Sequence, residues 1–218
     1  MKSLQTIEAC LFDLDGTLVD SETVWVEAQL SFLRRRGIDA SREEISRRVH
    51  GRAWIDIFGE YDRLWFHGSV TKQEMEADTT AFFEAWCSTH DIVIHSSLSL
   101  LRRLAEGGYR IGIVSGSTQG RVRDFVKSEG LERIVSCVIA EGDYPRGKPA
   151  PDSYLAAAQA LSVAPERCLA FEDSQAGVDS AKGAGMACVG LQHEGRPLLT
   201  GADLVLSDLG FFNLDKAL

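Results

Sequence analysis

The chain has 218 residues, 44% of them hydrophobic and 25% charged, with 32 acidic side chains against 23 lysines and arginines. That is an ordinary globular balance, and the length suits one sizeable domain or a core domain with a smaller insert. A formal net charge of −9 excludes a general attraction to nucleic acid or to an anionic membrane, so a phosphate-bearing ligand would need a cation or a few placed basic groups.

The first apolar run, Ile7–Phe12, reads as a strand and ends on Asp13, Asp15 and Gly16 within "LFDLDGTLVD". Residues i and i+2 of a strand project to one side about 7 Å apart. Two carboxylates placed so close repel unless a cation lies between them or one keeps its proton, and a hard oxygen-seeking ion such as Mg²⁺ resolves the conflict. A plain turn accounts for Asp15 and Gly16 but not for Asp13, which is still inside the apolar run.

From about Glu22 to His90 the patterns are helical, over residues 24–37, 42–51, 54–65 and 72–90. They predict a small helical bundle inserted after the first strand. Trp54, Trp65 and Trp86 lie within these patterns and read as its core. The chain rejoins the strand–helix alternation near residues 91–97.

"LSLLRRLAEGG" (98–108) carries an apolar stripe and a glycine stop. The strand Arg110–Val114 follows, with Ser115, Gly116, Ser117 and Thr118 leading into a helical pattern over 119–130. A hydroxyl beside free backbone N–H groups at a helix start makes an anion site, although simple capping by Ser117 or Thr118 also fits. After the strand Val135–Ala140, "EGDYPRGKPAPD" (141–152) matches the start of a phosphate-cradling P-loop. Pro149 stands where that motif needs Ser or Thr, and it lacks a backbone N–H, so the P-loop reading fails. Pro149 and Pro151 instead predict a stiff, extended approach to the helical pattern over 151–162, with Lys148 as a reaching cation.

The strand Cys168–Phe171 ends on Glu172 and Asp173 and turns through Ser174 into a small-residue helical pattern over 174–185. Taken alone, that acidic pair reads as a helix N-cap. Strands at Ala187–Gly190 and Leu204–Leu206 complete the series. Several strands are continuous apolar runs, as expected when both faces are covered. Alternating strands and helices predict a doubly wound parallel α/β sheet, which gathers the strands' carboxyl ends on one rim where ligands bind. Asp13, Asp15, Ser115, Lys148, Glu172 and Asp173 then share that rim, a set suited to phosphoryl transfer.

In motif and order, "DLDGTLVDSE", "VSGS", "GKPAPD" and "EDSQAGVDSAKGAGM" resemble a haloacid dehalogenase superfamily hydrolase with a helical cap, among the phosphatases close to β-phosphoglucomutase. The resemblance spans nearly the whole chain. It implies an α/β core over residues 1–20 and 92–218 and a cap over 21–91. It also implies Asp13 as nucleophile, carrying a transient phosphoryl group, and Asp15 as the acid and then the base. Ser115, Gly116 and Lys148 would bind the phosphoryl group. The Asp13 side chain, the Asp15 main-chain carbonyl and Asp173 would hold Mg²⁺, with Glu172 near the metal shell. Within "HGRAW" (50–54), Arg52 lies where the resemblance places a substrate-specificity loop, and a surface arginine is an equal reading.

The expected function is a Mg²⁺-dependent phosphatase for a small phosphorylated metabolite, with sugar phosphates favoured. A sugar-phosphate mutase is the first alternative and a non-catalytic phosphate-ligand sensor the second. The intact Asp13/Asp15 pair argues against a sensor, which needs no leaving-group acid. β-Phosphoglucomutases that resemble this chain carry a histidine where Trp25 stands and commonly a valine where Thr17 stands. Neither nucleic acid nor a membrane is expected as a partner, and the chain is expected to be a monomer. Five scattered cysteines, no secretory leader pattern and no apolar run near 20 residues predict a cytoplasmic protein.

Overall fold

A computed structural model describes residues 7–49 and 54–214. The chain divides into two compact units, Met1–Val19 with Val93–Leu218, and Asp20–Ile92. Among the described residues, no helix is long and apolar enough to cross a membrane.

The first unit is a parallel sheet flanked by helices. Its strands are β1 (Ala9–Phe12), β2 (Arg110–Val114), β3 (Val135–Ile139), β4 (Cys168–Glu172), β5 (Ala187–Leu191) and β6 (Leu204–Leu206). They run side by side in the order β3-β2-β1-β4-β5-β6. The chain builds outward from β1 to β3 and then returns to the other side of β1 with β4. That reversal opens a crevice beyond the carboxyl ends of β1 and β4, where doubly wound sheets take ligands. The register aligns the ends, with Phe12 opposite both Ile113 of β2 and Phe171 of β4.

β1, the middle of the crevice, is fully buried along its length. Leu11 belongs to a core cluster with Ala9, Val114, Tyr154, Ala170 and Val178, and the rings of Phe12 and Phe171 stack with centroids 4.5 Å apart. The edges depart from the expected full cover. In β3 only Ile139 is fully buried and β6 is half-exposed throughout, because an edge strand has a neighbour on one side only.

The helices of this unit are α5 (His95–Glu106), α6 (Gln119–Ser128), α7 (Asp152–Leu161) and α8 (Gln175–Gly183). Each presents its apolar stripe to the sheet, as Leu98, Leu101 and Leu104 do in α5. The approach to α7 is a succession of turns and not the extended segment that its prolines predict. Ala150 N donates to Gly147 O at 3.0 Å, and Pro151 has helical backbone angles, φ −75° and ψ −2°.

The second unit holds α1 (Ser21–Arg34), α2 (Arg42–Val49), α3 (Trp54–Tyr61) and α4 (Lys72–Cys87). Asp20 caps α1 by accepting from Thr23 N at 3.2 Å. Val26, Leu30, Phe32 and Leu33 of α1 bury against Ile45, Ile57, Tyr61 and Met75. Tyr61 Oη donates to Gln29 Oε1 at 2.6 Å as a buried polar link in that packing. The periodicity over 54–65 reads as one helix, but α3 passes into a π-helical turn, Asp62–Phe66. His67 N donates back to Asp62 O and Gly68 N donates to Asp62 Oδ1, both at 2.7 Å, which widens and ends the helix.

Replacing the fully buried Leu11 by alanine removes side-chain contacts on the central strand and leaves a cavity. The expected loss is about 2–5 kcal/mol. At about 2–4 °C per kcal/mol for a chain of this size, thermal denaturation should show a melting temperature lowered by roughly 5–20 °C.

Candidate active site

The β1–β4 ladder continues one step past β1, with Asp13 N donating to Phe171 O at 3.0 Å. This last rung fixes the backbone of Asp13 at the crevice. Leu14 and Leu18 bury next to it, so the chain must fold back at once, and it does so in a loop closed by Leu18 N to Leu14 O at 2.8 Å and Gly16 N to Val19 O at 2.7 Å. Gly16 has φ +86°, and a Cβ there would lie 2.0 Å from Asp173 Oδ2. Glycine is therefore required twice, for the left-handed backbone and for the approach of a carboxylate from the β4 side.

Lys148 comes from the turns before α7 and spends its three donors inside the crevice. Its Nζ donates to Asp13 Oδ1 at 2.6 Å, to Glu172 Oε1 at 2.5 Å and to Val114 O at 3.1 Å. Burial alone would lower its pKa, but Asp13 and Glu172 together raise it, so it is a fixed cation. Glu172 is fully buried. Its Oε1 also accepts from Tyr154 Oη at 2.6 Å, and its Oε2 is 3.4 Å from Ser174 Oγ. Gly177 of α8 makes room for it, since a Cβ there would sit 1.9 Å from Glu172 Oε2. Tyr154 is itself held in its neutral phenol form, its pKa raised by burial and by Glu172.

Asp13, Glu172 and Asp173 each offer a carboxylate oxygen, all within 4.8 Å of one another. Burial pushes the Asp13 carboxyl well above the usual carboxylate range. Lys148 opposes that shift, while Glu172, Asp173 and Asp15 reinforce it. Asp13 Oδ2 is buried without a hydrogen-bond partner, which is costly unless something positive meets it. Three hard oxygen donors, a surplus of negative charge and one unmatched oxygen fit a Mg²⁺ ion. On the outer side, Arg196 Nη1 reaches Asp173 Oδ2 at 2.5 Å, and His193 Nε2 lies 2.7 Å from Gly16 O.

Asp15 has a different setting. Its side chain is 29% exposed, and its carboxylate meets the start of α6. Ser117 Oγ donates to Asp15 Oδ2 at 2.7 Å, with Ser115 Oγ at 3.3 Å, and Arg121 Nη2 donates to Asp15 Oδ1 at 2.9 Å. Ser115 is buried and accepts from Ser117 N at 2.9 Å. Gly116 is exposed in the same turn.

The structure thus brings Asp13, Asp15, Ser115, Lys148, Glu172 and Asp173 together at the strand ends. Within that group, the Asp15 carboxylate stands with Ser117 and Arg121 and is not one of the three clustered carboxylates. Arg52 lies outside the described residues. Sequence reasoning passed over Tyr154, Arg121, Arg196 and His193. Tyr154 sits in an apolar stripe and reads as core. Arg121 did leave a signal, a cation in the first turn of a helix, where the dipole disfavours it.

Comparison with known proteins bears on this arrangement. A family model for haloacid dehalogenase-like hydrolases matches residues 7–185. The chain is 30% identical over 204 residues to validoxylamine A 7'-phosphate phosphatase of Streptomyces hygroscopicus subsp. limoneus, covering 93% of this chain and 94% of that one. It is 33% identical over 220 residues to hexitol phosphatase A of Escherichia coli (strain K12), covering 94% and 93%. Among solved structures it is similar to CbbY from Rhodobacter sphaeroides in complex with phosphate, with a TM-score of 0.77, 26% identity, and coverage of 94% of this chain and 96% of that one.

A ligand that binds only the folded protein raises its stability, by about 2.7 kcal/mol at 100 times its dissociation constant. Millimolar Mg²⁺ should therefore raise the melting temperature by several degrees, and chelation should reverse the rise. Asp173→Asn removes a ligand charge and Gly16→Ala pushes Asp173 aside, so both should lose most of the rise. A wild-type melting temperature unmoved by Mg²⁺ would remove the ion from this site.

Proposed function

Because the chain belongs to the haloacid dehalogenase-like hydrolases, we propose that it is a Mg²⁺-dependent phosphatase that hydrolyses small phosphate monoesters, sugar phosphates foremost, by way of a phosphoryl group carried on Asp13. The observation that carries the reading is the state of Asp13. One oxygen is gripped by a buried lysine, and the other is buried and unmatched at the mouth of the sheet. A carboxylate held in this way is oriented for attack, and its unmatched oxygen would face the cation that the three clustered acids would hold.

In the first step an Asp13 oxygen bonds to phosphorus, the ester P–O bond breaks, and the departing alkoxide takes a proton from the Asp15 carboxyl. In the second step water attacks the same phosphorus and gives its proton to Asp15 while the bond to Asp13 breaks. Splitting the hydrolysis lowers each barrier, and one group serves first as acid and then as base. Lys148, Ser115 and the Gly116 backbone bind phosphoryl oxygens. Ser115 Oγ accepts from Ser117 N, and its hydrogen, in a long 3.3 Å contact with Asp15, can turn to a phosphoryl oxygen. Asp13, Asp173 and the Asp15 main-chain carbonyl would hold Mg²⁺, with Glu172 beside them fixing Lys148. When bound, the ion supplies positive charge against the phosphoryl oxygens and the clustered carboxylates.

The relatives' names point to phosphate esters of small polyhydroxylated molecules, which supports sugar or sugar-alcohol phosphates as the substrate class. The phosphoryl-handling groups named above all belong to the sheet unit. A proton-exchanging group on the first helix of the helical unit Asp20–Ile92 would favour the mutase alternative. Trp25 stands there instead, stacked on Phe83 at 4.5 Å, and an indole does not exchange protons as an imidazole does. None of the five cysteines forms a disulfide, which suits a reducing compartment such as the cytoplasm.

Asp13→Asn should lower kcat by at least about 10³-fold with the fold intact by circular dichroism, since the change removes the nucleophile at almost constant volume. Phosphorus NMR of wild-type enzyme with hexitol phosphates, β-glucose 1-phosphate, Mg²⁺ and a trace of the bisphosphate should show inorganic phosphate accumulating. Isomerisation to glucose 6-phosphate outrunning phosphate release would overturn hydrolysis in favour of mutase action.

A further inference from the structure

The first turn of α6 holds no acidic residue, and its third residue is Arg121. A helix start already carries partial positive charge, so a cation there is disfavoured unless an anion is delivered to it. That anion is Asp15, brought in from the loop after β1. The two side chains are 31% and 29% exposed, and an ion pair as open as this adds little to stability. Its geometry does more. Arg121 Nη2 holds Asp15 Oδ1 at 2.9 Å while Ser117 Oγ holds Oδ2 at 2.7 Å. With each oxygen engaged by a different partner, the plane of the carboxylate is fixed and rotation about its last torsion is blocked.

The two partners also differ in what they accept. A guanidinium only donates hydrogen bonds, whereas a hydroxyl donates or accepts. An oxygen facing Arg121 therefore remains an acceptor, while the hydroxyls of Ser117 and Ser115 can meet an oxygen that carries a hydrogen. We propose that Arg121 is a positioning residue for the reaction: with Ser117, it orients the Asp15 carboxyl and reserves Oδ2 as the oxygen that hands its proton to the departing alkoxide. Arg121 acts through Asp15 and not on the substrate. The inference rests on the reading of Asp15 as leaving-group acid given under Proposed function.

The test uses the full-length enzyme with Mg²⁺ and a series of phosphate monoesters graded by leaving group, from 2,4-dinitrophenyl phosphate to a hexitol phosphate. The ratio kcat/KM is read because it covers the steps up to departure of the leaving group. A dinitrophenolate leaves without a proton and an alkoxide needs one. Arg121→Met should lower kcat/KM about 10²-fold on the hexitol phosphate and less than about threefold on the dinitrophenyl ester, where no proton is transferred. Arg121→Lys should recover part of the loss, since lysine supplies one of the donors. Asp15→Asn should show the same leaving-group dependence, more steeply, and adding Arg121→Met to Asp15→Asn should change nothing further.

A loss in Arg121→Met that is equal on all esters would overturn the proposal, as would a further loss in the double variant, which would mean that Arg121 binds substrate directly. In both cases a steep leaving-group dependence in Asp15→Asn would leave the phosphatase reading standing. If Asp15→Asn itself shows no such dependence, the acid assignment falls and the role of Arg121 falls with it.

Discussion

The contact on which the site depends is the Lys148 ammonium, held between Asp13 and Glu172. It joins three pieces of chain that are far apart in sequence: the end of β1, the end of β4 and the turns before α7. The distances are short and the groups are buried, so the charges are poorly screened and each partner's position depends on the others. Breaking such a cluster by removing one member leaves an uncompensated buried charge, which costs far more than an exposed pair would. Glu172 is best understood in this light. Its hydrogen bonds with Lys148 and Tyr154, and its seat against Gly177, make it the anchor that sets where the lysine ends.

Lys148 does not balance the charge around it. Asp13, Glu172 and Asp173 converge within a few ångströms, and burial drives Asp13 toward its protonated form. A phosphate ester brings still more negative charge to the same place. The fold tolerates this because the acids lie at the carboxyl ends of parallel strands, where the β1–β4 reversal leaves a crevice that a cation and a phosphoryl group can enter. Arg196, against the outer oxygen of Asp173, contributes positive charge from the loop after β5.

The two aspartates that open the chain's first motif therefore serve under different physical conditions. Asp13 is nearly inaccessible, tied to Lys148 and surrounded by other acids. Asp15 is partly exposed and faces hydroxyls and a guanidinium at the start of α6. A carboxylate proposed to attack phosphorus gains from being held in one orientation, as the Lys148 contact holds Asp13. A carboxyl that gives and takes protons gains from access to the leaving group and to water. Two residues of separation on one strand end are enough to place two identical side chains in these two environments.

Much of this was legible in the chain itself. Runs such as Cys168–Phe171 and Ala187–Gly190 announce buried strands because solvation forbids any other place for them, and the polar residues that end those runs mark the rim. Asp13 is the clearest case, since a charge closing an apolar run has no bland explanation. The sequence fell short where a property depends on what packs alongside. β3 and β6 have the composition of interior strands, and only the strand order makes them edges. The prolines after Lys148 fix local angles, but a backbone hydrogen bond from Ala150 to Gly147 decided that the segment turns. Local pattern, set by side-chain solvation and backbone sterics, determined the strands, the helices and the acids at the strand ends. Tertiary structure alone decided that Glu172 would hold Lys148, that Tyr154 would reach Glu172 and that Arg121 would meet Asp15. Those contacts join residues 18 to 106 positions apart, and no local pattern encodes which distant partner a buried polar atom will find.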